Sequence, residues 1–153
     1  MDSKFKLIAI GNRFMKDDGI AIAVAEHLRG HIGAELDFII AETDYQSCFY
    51  LINEDDIIII LDALYTDAVP GCVQQFNLCN EITNASSNYT QHDMSVIEYL
   101  KIHRMAVKGY LIGIEVAEIG YGDKLSSFIS GRFNDICMEV EYIIKNILSE
   151  GIV

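Results

Sequence analysis

Tryptophan is absent from this chain of 153 residues, proline occurs once, and basic residues are scarce, with 11 Lys and Arg against 23 Asp and Glu. One proline within a chain that is 51% hydrophobic excludes long disorder. A net charge of −12 repels phosphate backbones and anionic membranes, so no nucleic-acid partner is expected. No apolar run reaches the ~18 residues that a bilayer span needs, so no membrane association is expected. The start, Met1-Asp2-Ser3-Lys4-Phe5-Lys6, runs directly into a strand pattern and lacks the layout of a signal peptide. A cytoplasmic location is therefore expected. The four cysteines, Cys48, Cys72, Cys79 and Cys137, form no Cys-x-x-Cys. Their spacing suggests neither a zinc site nor a disulfide frame, and reduced thiols filling apolar sites are expected. Gly-x-Gly-x-x-Gly, the Walker phosphate loop and the Gly-x-Ser-x-Gly elbow are all missing. Dinucleotide, nucleotide and α/β-hydrolase chemistry thus have no support from motifs.

What is present is an alternation of apolar runs and helical patterns over 1–153, read as one domain. Residues 5–10 predict a first strand, and Ile20, Val24 and Leu28, with Ala21 and Ala25, predict a helix face ending near Gly30 or Gly33. Residues 35–41 predict a second strand, and 46–53 a short helix carrying Phe49, Tyr50 and Ile52. The run Ile57-Ile58-Ile59-Ile60-Leu61, followed by Asp62, predicts a central parallel strand covered on both faces. Pro70-Gly71 predicts a turn into a fourth strand over 72–78. The polar segment 80–91 is expected to be an exposed loop delivering His92 to a helix near Ser95, whose cap is Ser95 or Asp93. Val96, Ile97 and Leu100 supply that helix's buried face. Residues 107–116 predict a fifth strand, and the periodic apolar positions from Phe128 to Leu148 a long closing helix.

Strands alternating with helices imply parallel pairings and right-handed crossovers. The link from Ala63 to Cys72 is too short for a helical crossover, which points to strand four running antiparallel to strand three. The fold class is α/β: a three-layer sandwich with a mostly parallel, mixed five-stranded sheet and helices on both faces.

Three features fall on the carboxyl edge of that sheet, where open α/β sheets gather their chemistry. Asp17 and Asp18 follow strand one, Asp62 ends strand three, and His92 precedes a helix. The Asp17-Asp18 pair has two readings: acids that cap a helix and complement its dipole, or part of a site. Two carboxylates and an imidazole can hold a divalent ion such as nickel or zinc, or act on a water as acid and base. His27 and His31 are four apart, but His27-Leu28-Arg29-Gly30-His31 breaks the helix between them, so both are expected on the surface.

Gly11-Asn12, Asp17-Asp18-Gly19, Asp62-Ala63 after an apolar strand, Pro70-Gly71, His92 before a helix and Leu111-Ile112-Gly113-Ile114 occur in an order that resembles the hydrogenase maturation proteases. These peptidases trim a C-terminal extension from the nickel-bearing large subunit of [NiFe] hydrogenase. The resemblance implies that Asp18, Asp62 and His92 form a metal-binding and catalytic trio. It also implies that the nickel they meet is supplied by the substrate, a hydrogenase large-subunit precursor. Asp17 becomes a neighbour that steadies the loop. Asp18 or Asp62 is the better candidate for the base, and His92 for a neutral ligand. The chain departs from the family's pattern at Ala9, where a glycine is usual, and at Asp18, where Glu is common. It departs again at Glu42-Thr43-Asp44-Tyr45, which replaces an Asp-Gly-Gly-Thr. Two rival readings remain. One is a phosphoacceptor receiver domain built on Asp17, Asp18 and Asp62, which requires a lysine at the end of strand five. The other is a catalytically silent binding domain of the same fold.

Overall fold

The computed structural model describes residues 4–83 and 95–150. Its sheet has the strand order β2-β1-β3-β5-β4. The strands are β1 (Phe5–Ile10), β2 (Leu36–Glu42), β3 (Ile57–Leu64), β4 (Val73–Asn77) and β5 (Lys108–Glu115). The helices are α1 (Ile20–Leu28), α2 (Tyr45–Cys48, continued by a 3-10 turn over Phe49–Leu51), α3 (Leu78–Thr83), α4 (Ser95–Ile102) and α5 (Ser127–Glu150). β2, β1, β3 and β5 run parallel, and β4 joins β5 antiparallel.

Alternation along the strands divides the core in two. Leu7 and Ala9 of β1 and Ile59, Leu61 and Ala63 of β3 pack with α1 and α5 on one face. Ile8, Ile10, Ile58 and Ile60 pack with Phe49, Leu78, Val96, Ile97 and Leu100 on the other. A strand buried on both faces needs an unbroken apolar run, and β3 has one. The expected three-layer architecture is therefore present, with a mixed sheet. No helix among the described residues is long and apolar enough to cross a membrane.

Three local expectations need correction. β4 does run opposite to β3, but its neighbour is β5, which inserts between them. The loop expected from residue 80 is helical up to Thr83. Asn77 Oδ1 accepts the Asn80 N–H at 3.1 Å, which caps α3, and Leu78 is fully buried. The remainder of that segment lies outside the described residues. Only Cys48 and Cys137 are buried thiols. Cys72 and Cys79 are exposed, because one sits in the turn before an edge strand and the other on the outer side of α3. His27 and His31 are exposed as expected, with α1 ending at Leu28 between them.

Candidate active site

Parallel strands place the carboxyl ends of β1, β2 and β3 along one edge. There Gly11, just past β1, donates its N–H to the carbonyl of Glu42 at the end of β2, 2.9 Å away. The chain then folds back through a 3-10 turn over Lys16–Gly19 before α1 begins. Gly11 makes this return possible. Its φ is +149°, and a Cβ placed there would lie 2.2 Å from the backbone oxygen of Asp18. The close approach sets Asp18 over the strand ends.

Asp18 and Asp62 line a single pocket of about 180 Å³, with Ile10, Gly11, Glu42, Thr43, Tyr45 and Tyr65. Asp18 Oδ2 accepts the N–H of Asn12 at 3.0 Å, and Oδ1 accepts the hydroxyl of Tyr65. Asp62 Oδ1 accepts the N–H of Ala63 at 2.8 Å. Both carboxylates are partly exposed. His92 lies outside the described residues. Among the described residues no group of three His, Cys, Asp or Glu side chains comes together to hold a metal.

Asp17 has a different fate. It is fully buried, and its carboxylate accepts N–H groups from Ala117 (3.0 Å), Glu118 (2.8 Å) and Ser126 (2.8 Å) and the hydroxyl of Ser126 (2.8 Å). Ser126 Oγ in turn accepts the N–H of Ile129 at 3.3 Å, capping α5. The expected steadying neighbour is therefore what Asp17 is. Neither acid caps α1 through a side-chain hydrogen bond, because their oxygens are taken by Asn12, Tyr65 and residues 117–126; both still lie in the turn at the helix mouth, where a negative charge complements the dipole.

The segment replacing the glycine-rich sequence forms one wall of the pocket. Glu42 adopts φ +55°, a left-handed conformation that glycine accepts freely and a side chain does not. Its carboxylate is held by Arg13 Nε at 2.7 Å, and Arg13 also reaches Glu26 at 3.4 Å. The Glu42 hydrogen bond holds the guanidinium of Arg13 further above its ordinary range.

Sequence reasoning missed the support behind the site. Thr66 donates its N–H (2.9 Å) and its hydroxyl (2.5 Å) to the two oxygens of Glu115, which is 2% exposed at the end of β5. That clamp fixes the turn carrying Tyr65. The only signal in the sequence was an acid closing an apolar strand. The receiver reading loses its cation: Lys108 opens β5 in register with Ile57, at the opposite edge of the sheet from Asp62.

No protein-family model matches the chain, and no curated protein matches its sequence. Solved structures do match. The [NiFe] hydrogenase maturation protease HybD from Thermococcus kodakarensis shares 24% identity over 91% of this chain and 97% of its own, with a TM-score of 0.70. The hydrogenase maturating endopeptidase HybD from E. coli shares 16% identity over 97% of this chain and 94% of its own, at 0.73. The maturation protease HycI from Thermococcus kodakarensis KOD1 shares 17% over 92% of each chain, at 0.71. The chain thus has the fold of the [NiFe] hydrogenase maturation proteases over nearly its whole length.

Proposed function

We propose that this protein is an endopeptidase that removes a C-terminal peptide from the nickel-loaded large subunit of a [NiFe] hydrogenase, working in the cytoplasm. One observation carries the reading: Asp18, from the turn before α1, and Asp62, near the end of β3, line one pocket within a fold shared with maturation proteases. Oxygen donors joined by the imidazole of His92 suit a borderline divalent cation such as nickel. The ion belongs to the substrate. It marks the cleavage site and polarises the scissile carbonyl or a water. Asp18 or Asp62 takes the proton as water adds to the carbonyl carbon, and the proton passes to the leaving nitrogen as the C–N bond breaks.

The test is the mass of a large-subunit precursor co-expressed with this protein, with and without nickel. The wild type is expected to shorten the precursor only when nickel is supplied. Asp62→Asn, which removes a candidate base, and His92→Ala, which removes a ligand for the substrate's ion, are each expected to slow shortening by at least about 100-fold, with unfolding curves unchanged. Full processing by both variants would overturn the assignment. A folded wild type that never processes the precursor would favour the silent binding domain.

A further inference from the structure

We propose that Tyr65 is a positioning residue that sets the plane of the Asp18 carboxylate. The last torsion of an aspartate is soft and broad, so a lone carboxylate at a pocket mouth samples many orientations. Here both oxygens are engaged from different parts of the fold. Asn12, in the loop after β1, donates its N–H to Oδ2 at 3.0 Å; Tyr65, just past β3, donates its hydroxyl to Oδ1. Each oxygen keeps a second lone pair, so a cation can be met without displacing either donor.

Tyr65 can impose an orientation because it is itself held. On its amino side the Leu64 carbonyl accepts the N–H of Val116 at 3.1 Å. On its other side Thr66 is clamped by both oxygens of Glu115. The phenol therefore transmits the geometry of the β3–β5 pair to a side chain delivered by a different loop. This geometry is independent of the peptidase reading; only the identity of the cation rests on that reading.

The test uses Tyr65→Phe, which removes the hydroxyl and keeps the ring. Two quantities are measured on the full chain: the hydrogen-exchange rate of the Asn12 amide, and the affinity for Ni²⁺ alone by calorimetry. Tyr65→Phe is expected to speed Asn12 exchange at least threefold and to weaken Ni²⁺ binding about five- to tenfold, while the melting temperature holds. In an Asp18→Asn background the same change is expected to have no further effect on Ni²⁺ binding, since its route has been removed. Unchanged Asn12 exchange, or an equal loss of affinity in the Asp18→Asn background, would overturn the proposal. If the wild type takes up no Ni²⁺, the cation reading of the site fails, and Asn12 exchange alone decides the role of Tyr65.

Discussion

Asp17 and Asp18 are chemically identical neighbours with opposite surroundings, and they should respond differently to the same substitution. Asp17 is buried and accepts from Ala117, Glu118 and Ser126, linking the turn before α1 to the start of α5. An amide in its place keeps one acceptor oxygen and turns two donors toward groups that also donate. Each buried donor left unpaired costs about 1–3 kcal/mol. Asp17→Asn is thus expected to lose roughly 3 kcal/mol of unfolding free energy in a urea titration. Asp18→Asn, at a partly exposed position, should stay within about 1 kcal/mol of wild type while its Ni²⁺ binding weakens but stays measurable. Local pattern placed both acids at the correct sheet edge without separating them; only the family resemblance gave Asp17 the steadying part and Asp18 a place in the site. Asp17's donors lie around residues 117–126, and no local pattern reveals a partner that far along the chain.

At the scale of elements, strands buried on both faces were legible and the edge was not. β1 matches its predicted bounds, and β3 and β5 come within a residue or two, because continuous apolar runs have few other solutions. β4 contains Gln74 and Gln75 and is mostly half-buried, which suits an edge strand, but its neighbour depended on where β5 would insert. α3 was hidden because its cap, Asn77, and its first residue, Leu78, were read into strand four, and its next turn, from Asn80, into a polar loop. The amino edge of the sheet is held by a buried pair that hydropathy passes over. Lys6 of β1 reaches Asp56, just before β3, at 2.6 Å, and the carbonyl of Leu51 at 3.0 Å. Burial pushes the Asp56 carboxyl up, but Lys6 and the N–H of Asn53 outweigh it and hold the group below its ordinary range. A depressed carboxyl adds stability above its unfolded pKa of about 3.9, and that stability is lost as pH falls through the lower folded value. Asp56→Asn leaves the Lys6 ammonium buried without its counter-charge and is expected to cost about 3 kcal/mol at pH 7. The gap between variant and wild type should narrow as pH falls below about 4, read from urea midpoints across the acid limb.

For the whole molecule the dominant electrostatic fact is imbalance. With 23 acidic and 11 basic side chains, at least 12 acids (23 − 11) have no cation to pair with one to one. Attraction and repulsion therefore compete, and salt tells them apart. At 0.01 M ionic strength the screening length is about 30 Å, comparable to a small domain, so like charges repel across the whole surface; near 0.15 M it is about 8 Å. The solvent-facing pairs of Arg13 with Glu26, Lys16 with Glu118 and Lys145 with Glu141 contribute little and weaken together with the repulsion. The Lys6–Asp56 pair, under 10% exposed on either side, is screened far less. Relief of repulsion should prevail. Raising NaCl from 10 to 300 mM is expected to lift the melting temperature by about 3 °C, the shift that roughly 1 kcal/mol produces in a chain of this size. KCl should do the same, since the effect is one of ionic strength. A melting temperature that falls with salt would mean that the exposed pairs outweigh the surplus of negative charge. The same surplus draws cations toward a pocket whose walls carry Asp18, Glu42 and Asp62. Ni²⁺ affinity should therefore fall over the salt range in which stability rises, and opposite signs in the two titrations would trace both effects to one field.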